Sequence, residues 1–455
     1  MKHISKEVIN KYLKLLPIQI LGIVVSATNS LIDSIITGRY IGSEALGAIG
    51  LFAPIISAVG FFMILITGFE ILCSTALGEE DKEKSSSLFS TCIFIAGLLC
   101  ILTTLICVVF RFPLSRLLGA DPATEVLLAD YILGYSPGFI GDVLMAIMMI
   151  FLPLNGDTKR SYVGIAALIV SNVALDLITV IFFDMGVFGM GLASSVSYIL
   201  SALLLVPGFI NSEKMLRIDF KLLSFKPVAE AVKLGSPNLM FTLGTVIKAY
   251  VLNWALMKSF GVSAIATANV QNSLCSFLGA VPQGCGGTFL VLGSLYFGSR
   301  DKKTFSEAFK FAMEIGIILS AFLAILLMAG SYLISSFYFD KSDPAFLMTR
   351  DMLLIFPSFL VFNTVLTILL RVYQCQKRIT LVNILSIAEN LMIAALAVIL
   401  ISIMGINGAW YAFPICEIIC ILWVAIDIRL NANKGDDPVK EWISFGPVSD
   451  QRRSL

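Results

Sequence analysis

Long uninterrupted apolar segments are the feature that most constrains this chain. Residues 88–110, for example, read LFSTCIFIAGLLCILTTLICVVF and contain no charged side chain. A helix needs about 20 apolar residues to cross the hydrocarbon core of a bilayer. Of the whole chain, 58% of residues are hydrophobic and only 14% are charged, whereas a soluble domain carries about 25% charged residues. The sequence therefore predicts an all-α integral membrane protein.

Charged residues, glycine and proline divide this apolar sequence into about twelve predicted transmembrane helices. They cover residues 13–38, 45–77, 87–111, 126–153, 161–183, 187–210, 230–257, 264–297, 307–337, 348–371, 379–403 and 406–428. We predict an N-terminal six-helix lobe over 1–210, a cytoplasmic connecting loop over 211–229, a C-terminal six-helix lobe over 230–430 and a polar cytoplasmic tail over 431–455.

The distribution of basic residues predicts how these helices are oriented. With the N-terminus inside, 25 Lys and Arg residues fall in inside segments and 6 fall in outside segments. Cytoplasmic loops of membrane proteins carry such an excess of Lys and Arg. We therefore expect both termini to be cytoplasmic, together with the loops 211–229, 298–306 and 371–378. The N-terminus lacks an apolar core followed by a cleavage site, so no removable signal peptide is expected.

The two halves of the sequence repeat one another at a nearly constant offset of 218 to 220 residues. The matching landmarks are 41–46 with 260–265, 78–82 with 298–302, Pro137 with Pro357, 159–160 with 377–378, and 185–189 with 404–408. Each half has an even number of helices, so both halves insert the same way round. A pseudo-two-fold axis along the membrane normal should relate the two lobes, with a central cleft between them.

Several of these segments resemble motifs of the multidrug and toxic compound extrusion (MATE) family of antiporters. They are LIDSIITG at 31–38, the stretch 42–48, Gly78 with its acidic turn, SNVALD at 171–176, and MGVFGMGLAS at 185–194. The resemblance extends over nearly the whole chain. It implies two six-helix lobes around a cleft, a bacterial cell (inner) membrane location, and export of organic, often cationic, compounds in exchange for Na⁺ or H⁺.

Two acids inside the predicted helices of the first lobe lie at a similar depth in its outer half. Asp33 precedes the outer end of the first helix by about 9 Å, and Asp176 precedes the outer end of the fifth. A carboxylate in hydrocarbon is costly and usually marks an ion or proton pathway; a hydrogen-bonded helix contact with a permanently protonated acid is the alternative. The resemblance assigns a cation site to Asp33, Asn172, Asp176 and Ser194, in which Ser194 replaces the usual Thr.

The second lobe carries a different set of charges near the middle of its helices, namely Lys248, Glu389 and Glu417. An unpaired charge at the bilayer centre costs at least about 2.5–3.5 kcal/mol on insertion scales. We therefore expect Lys248 to pair with one or both glutamates. A structural ion pair and an element that responds to substrate are both open.

Other polar and aromatic residues are weaker candidates. Three acids near helix ends are of the kind that often snorkel to the interface, namely Glu70, Asp142 and Glu314. Some aromatic residues are candidates to line the cleft and to stack on a flat cation, including Tyr135, Phe139, Tyr250 and Phe277.

The sequence thus predicts a cation-coupled (H⁺ or Na⁺) antiporter that exports organic, cationic drugs or metabolites by alternating access. The alternative is a lipid-linked oligosaccharide flippase of the same superfamily, for which only Lys248 and Arg371 are available as basic residues of a cleft. An enzyme is not predicted, because intramembrane His, HExxH, GxSxG and P-loop motifs are absent from the sequence. A channel is a further alternative, which saturable counter-transport would exclude.

The expected partners are a small organic cation and the lipid bilayer, with Na⁺ or H⁺ as coupling ion, no other cofactor and a monomeric chain. The net charge of +1 gives no indication of a nucleic-acid partner. His3 is expected to be a solvated residue of the N-terminal tail. The nine cysteines are expected to be small buried side chains without a redox or metal role.

Overall fold

The computed structural model describes residues 4–52, 55–56, 62–120, 122, 124–210 and 216–431, which are helical apart from short connections. The α-helices of the first half are α1 (Lys6–Ile36), α2 (Ser43–Gly50), α3 (Phe62–Gly78), α4 (Lys82–Val109), α5 (Arg111–Leu117), α6 (Glu125–Tyr135), α7 (Gly138–Phe151), α8 (Thr158–Leu177) and α9 (Gly186–Leu205). Those of the second half are α10 (Val228–Phe260), α11 (Val262–Leu278), α12 (Ala280–Gly298), α13 (Lys302–Ala329), α14 (Ser331–Tyr338), α15 (Pro344–Ile355), α16 (Phe359–Cys375), α17 (Ile379–Met404) and α18 (Ile406–Asn431). His3, residues 211–215 of the connecting loop and the tail from 432 onwards lie outside the described residues.

Among these described residues, 11 helical segments are long and apolar enough to cross a membrane. Of the twelve predicted transmembrane helices, 45–77 is the one without a matching long segment. Part of it lies outside the described residues, and its described part includes the shorter apolar helix α3. The predicted class, an all-α membrane protein, is confirmed. Two predicted helices are interrupted near a proline, at Pro137 between α6 and α7 and at Pro357 between α15 and α16. Proline has no amide hydrogen and so breaks helical hydrogen bonding at such points.

The internal repeat is visible in the local backbone geometry of the two halves. At the start of α4, the carboxylate of Asp81 accepts a hydrogen bond from the Lys84 amide at 2.9 Å. At the start of α13, Asp301 accepts in the same way from the Thr304 amide at 3.0 Å. Each aspartate satisfies an amide that the helix start leaves free. The shared caps, together with the matching proline breaks, support the predicted pseudo-symmetric halves.

Contacts divide the chain into two compact units whose limits differ from those of the predicted lobes. The N-terminal unit comprises Leu21–Gly235, and the C-terminal unit comprises Met1–Ile20 together with Ser236–Leu455. Helices α1 and α10 therefore each pass from one unit to the other. Each contains a proline close to the point of transfer, Pro17 in α1 and Pro237 in α10.

The packing of the first turns of α1 explains why they belong to the C-terminal unit. The hydroxyl of Tyr12 donates a hydrogen bond to the carbonyl oxygen of Cys285 at 2.8 Å. The Tyr12 ring also meets the ring of Phe311 edge-on, with 5.3 Å between centroids. Both neighbours belong to the second half of the sequence, and Tyr12 is fully buried against them.

In the N-terminal unit, helices α6 and α7 approach α9 closely along a row of glycines. A Cβ atom on Gly134 would lie 2.4 Å from the carbonyl oxygen of Phe188, and one on Gly141 would lie 2.4 Å from the amide nitrogen of Ile199. Ser195 fixes the contact by donating from its hydroxyl to the carbonyl oxygens of Gly134 and Tyr135, at 2.6 and 2.9 Å. Small residues allow such approach in membranes, where dispersion and hydrogen bonds hold helices together.

Gly141→Ala tests the importance of this contact. The added methyl group cannot be accommodated without displacing backbone atoms of α9, and overpacking of this kind costs about 1–3 kcal/mol. We expect the variant to unfold at a lower temperature than the wild-type protein when thermal unfolding is followed in detergent. Gly97→Ala on α4 is the matched control, because a Cβ at this position has no atom within 4 Å. Equal unfolding temperatures for the two variants would contradict the close approach.

Candidate functional site

The two acids predicted to act together do meet in the N-terminal unit. Asp33 lies in the last turn of α1, and Asp176 lies in the last turn of α8. Their carboxyl groups are close enough to interact with each other. The side chain of Asp176 is fully buried, while Asp33 is half-buried. The structure thus brings together one acid from the first and one from the fifth predicted transmembrane helix.

Unsatisfied acceptors are concentrated at this acid pair. Within the described part of the chain, Asp33 Oδ1, both carboxyl oxygens of Asp176 and Asn172 Oδ1 are buried without a hydrogen-bond partner. Asn172 precedes Asp176 by one helical turn, so the two side chains share a face of α8. Buried polar atoms normally have partners. A set made only of acceptors fits a proton or a hard cation, which takes oxygen ligands.

Ser194 lies on α9, which packs against both α8 and the segment that follows α8. Its side chain is buried, with 3% of its surface exposed. Ser194 is therefore buried inside the unit, on a helix that packs against the helix carrying Asp176. The four predicted residues come from three helices of the same compact unit.

Each of the two acids is followed by a short π-helix, a feature that the sequence analysis missed. Residues Thr37–Ile41 follow α1, and Ile178–Phe182 follow α8. The amide of Gly42 donates to the carbonyl oxygen of Thr37 at 2.9 Å, five residues back rather than four. The two π-helices also pack against each other and against α9. Wide helical turns of this type are frequent at functional sites, and here they lie beside the acid pair.

Tyrosines of α6 and α9 surround the acids, and these too were not assigned to the site from the sequence. The phenol of Tyr131 interacts electrostatically with both Asp33 and Asp176. Tyr135 and Tyr198 interact with one another and with Asp142, one of the weaker sequence candidates. The spacing of Tyr131 and Tyr135, one helical turn apart, was the available signal, because it places both phenols on one face of α6.

Phe52 packs against this aromatic group from the end of the segment after α2. Its ring lies edge-on to Tyr131 and to Tyr135, each with 5.2 Å between centroids. Tyr135 and Phe139, considered as cleft-lining residues, are buried within the N-terminal unit. Tyr250 is 74% exposed, and Phe277 is half-buried. The aromatic residues around the acids therefore form a packed cluster inside a single unit.

The second predicted charge cluster lies in the C-terminal unit. The carboxyl groups of Glu389 on α17 and Glu417 on α18 interact, and Lys248 on α10 interacts electrostatically with Glu389. The Lys248 ammonium lies over the ring of Phe413, 5.6 Å from its centroid. Asn363 Nδ2 donates to Glu417 Oε1 at 2.9 Å. The structure therefore brings the three predicted charges together and adds an amide and an aromatic ring.

The remaining sequence candidates lie elsewhere. Glu70 is buried in α3, and Glu314 is exposed on α13. Arg371 donates to Gln374 Oε1 at 2.7 Å and to Gln283 Oε1 at 3.1 Å. Eight of the nine cysteines are buried, and Cys275 is half-buried.

Comparisons with known proteins agree with this architecture. The family model MatE matches residues 17–178 and 239–404, one segment in each half of the chain. Multidrug export protein MepA of Staphylococcus aureus is 23% identical over 424 residues, covering 91% of this chain and 92% of that protein. Probable multidrug resistance protein YoeA of Bacillus subtilis is 22% identical over 357 residues, covering 76% of each.

Solved structures share the fold. A MATE protein crystallised in complex with MaD3S superposes with a TM-score of 0.83 at 19% identity, covering 92% of this chain and 96% of that one. A variant of the Vibrio cholerae MATE transporter VcmN gives a TM-score of 0.84 at 17% identity, covering 93% and 98%. Fold, spans and relatives together define a multi-pass membrane transporter. The chain belongs to the MatE family, which confirms the resemblance inferred from its motifs.

Asn172→Ala and Ser194→Ala test whether the neutral side chains take part in the site. If each supplies an oxygen ligand to a bound cation, its loss should raise the half-saturating concentration of the coupling ion by about tenfold, because a bond to a charged group contributes about 1.5–3 kcal/mol. The measurement is ion-dependent transport in proteoliposomes. Ser402→Ala, exposed on α17, is a matched control. An unchanged half-saturating concentration in both site variants would remove these residues from the site.

Proposed function

We propose that this transporter exports organic, cationic drugs or metabolites by alternating access, in exchange for H⁺ or Na⁺. The coupling ion binds at Asp33 and Asp176, with Asn172 and Ser194 as neutral ligands. The observation that supports this proposal most directly is the group of buried oxygens around the acid pair that have no partner among the described residues. No separate cofactor is required, because the ion itself carries the coupling.

The physical basis is the cost of two adjacent carboxylates in a medium of low dielectric constant. Two such groups cannot both be ionised cheaply unless a cation or a proton lies between them. Asp176 is fully buried and interacts with Asp33. Binding of a cation or a proton therefore changes the net charge of an acid pair that includes a buried carboxyl group. A site whose charge state depends on a bound cation is what coupling to an ion gradient requires.

The names of the curated relatives favour drug export over the flippase alternative. MepA is named a multidrug export protein and YoeA a probable multidrug resistance protein. A flippase for anionic lipid-linked sugars would need basic residues free to bind its substrate. Here Lys248 lies over the Phe413 ring and interacts electrostatically with Glu389, and Arg371 donates to two glutamines. Both basic residues already have partners within the protein.

Asp33→Asn and Asp176→Asn are expected to abolish export driven by an ion gradient, because neither amide can exchange a proton or balance the charge of a bound cation. The measurement is uptake of a fluorescent organic cation by proteoliposomes under an imposed Na⁺ or pH gradient, which also identifies the coupling ion. Asp184→Asn provides the control: the same substitution on an exposed residue of the same unit, at a positive φ of 51° that asparagine tolerates. Wild-type rates in either site variant would exclude that acid from coupling.

We further propose that the chain is a monomer in the cell membrane with both termini in the cytoplasm. The 25 Lys and Arg residues of the inside segments support this orientation. Single cysteines in a cysteine-free background test it, with Ser224→Cys in the connecting loop and Ser342→Cys between α14 and α15. A membrane-impermeant thiol reagent applied to intact cells should label only the second. Labelling of Ser224→Cys alone would show that the orientation is the opposite of the one proposed.

A further inference from the structure

A second group of buried charges lies in the C-terminal unit and has no role in the proposed coupling site. Glu389 is 4% exposed and Glu417 is fully buried. The titratable and charged groups that face this pair come from several helices: Lys248 of α10, with Cys275 of α11 beside it, and Cys416 and Cys420 of α18. The two carboxyl groups interact directly, as the acids of the other unit do.

The hydrogen bonds of Glu417 leave one of its oxygens unsatisfied. Asn363 Nδ2 donates to Oε1 at 2.9 Å and so fixes the orientation of the carboxyl group. Oε2 is buried and has no partner among the described residues. A buried acceptor without a partner is destabilising, and more so when it is charged. The oxygen is thus a position at which a positive group would be stabilised.

Charge balance determines how many positive charges the cluster lacks. The ammonium of Lys248 contributes one positive charge, and the ionised carboxylates of Glu389 and Glu417 contribute two negative charges. The ammonium lies over the Phe413 ring, 5.6 Å from its centroid, and interacts electrostatically with Glu389. The cluster is therefore one positive charge short of neutrality, and an uncompensated charge in a membrane interior is costly.

A proton is the cation that fits this deficit. A metal ion would need several oxygen ligands and would have to bind beside the ammonium of Lys248. A proton needs only one free lone pair, which Glu417 Oε2 offers. We propose that Glu389 and Glu417 form a second proton-binding site, which takes up one proton from water as the carboxylate becomes a carboxylic acid and returns it to water in the reverse step.

The numbers of acids and bases in the cluster give a sharp test. Removing one acid by Glu417→Gln or Glu389→Gln leaves one ammonium and one carboxylate, which balance without a proton. Removing the base by Lys248→Met leaves two acids, which need two. The double variant Lys248→Met/Glu417→Gln leaves a single acid and should regain the requirement for one proton. A merely structural role for the three residues would not produce this pattern.

The experiment uses the full chain in lipid nanodiscs. Asp33→Asn and Asp176→Asn are present throughout, together with Glu70→Gln and Asp142→Asn, so that these acids of the N-terminal unit do not contribute. Infrared difference spectroscopy during a pH titration counts the carboxyl groups that gain a proton. We expect one titrating carboxylic acid band, lost in Glu417→Gln and in Glu389→Gln, increased in Lys248→Met and restored in the double variant. Glu314→Gln, an exposed acid of the same unit, should leave the band unchanged.

A band that persists in both glutamine variants would overturn the proposal, as would a band that does not respond to pH. Thermal unfolding of each variant identifies any that fail to fold, and either of the two glutamine variants is sufficient to decide. Because this readout needs no transport, it is independent of the proposed coupling role of Asp33 and Asp176.

Discussion

A bilayer supplies no water to a buried carboxyl group, and most features of the two polar clusters follow from this constraint. In water, Asp176 and Glu417 would each be solvated by several molecules, but here both side chains are fully buried. Their remaining partners are other side chains, and for both acids at least one oxygen has none among the described residues. Each cluster therefore has a free energy that depends strongly on whether a proton or cation is bound.

The helices around the first cluster are shaped to hold the acids in this environment. Each acid precedes a π-helix, where the wider turn shifts the register of the chain by one residue before α2 or α9 begins. Glycine contacts bring α6 and α7 close to α9, and the Ser195 hydroxyl on α9 donates to carbonyl oxygens at the end of α6. The π-helices and the close helix contacts thus occur together in the part of the unit that holds the acids.

The fold was largely predictable, because its signals are strong and repeated. Spans follow from apolar length, and the halves follow from caps such as Asp81 and Asp301 that recur at a constant offset. The proximity of Asp33 and Asp176 was predictable from their similar depth and from the family motifs in which they lie, because two buried acids can share one cation or proton. The π-helices were not predictable, because a backbone hydrogen bond between residues five apart has no distinctive residue preference. The packing of Tyr12 within the C-terminal unit was not predictable either, because it depends on contacts between residues far apart in sequence.

The two halves show which parts of the duplicated sequence the fold requires and which it leaves free. The helix caps and the proline breaks are shared, because they define where each helix begins and ends. The acids are not shared: Asp33 corresponds to Leu252 or Asn253, and Asp176 corresponds to Ala394. In the second half the acids lie instead on α17 and α18, where Lys248 interacts electrostatically with Glu389. An internal ammonium lowers the number of cations that a pair of acids must bind, from two to one. The same scaffold can therefore hold two acid pairs of different charge.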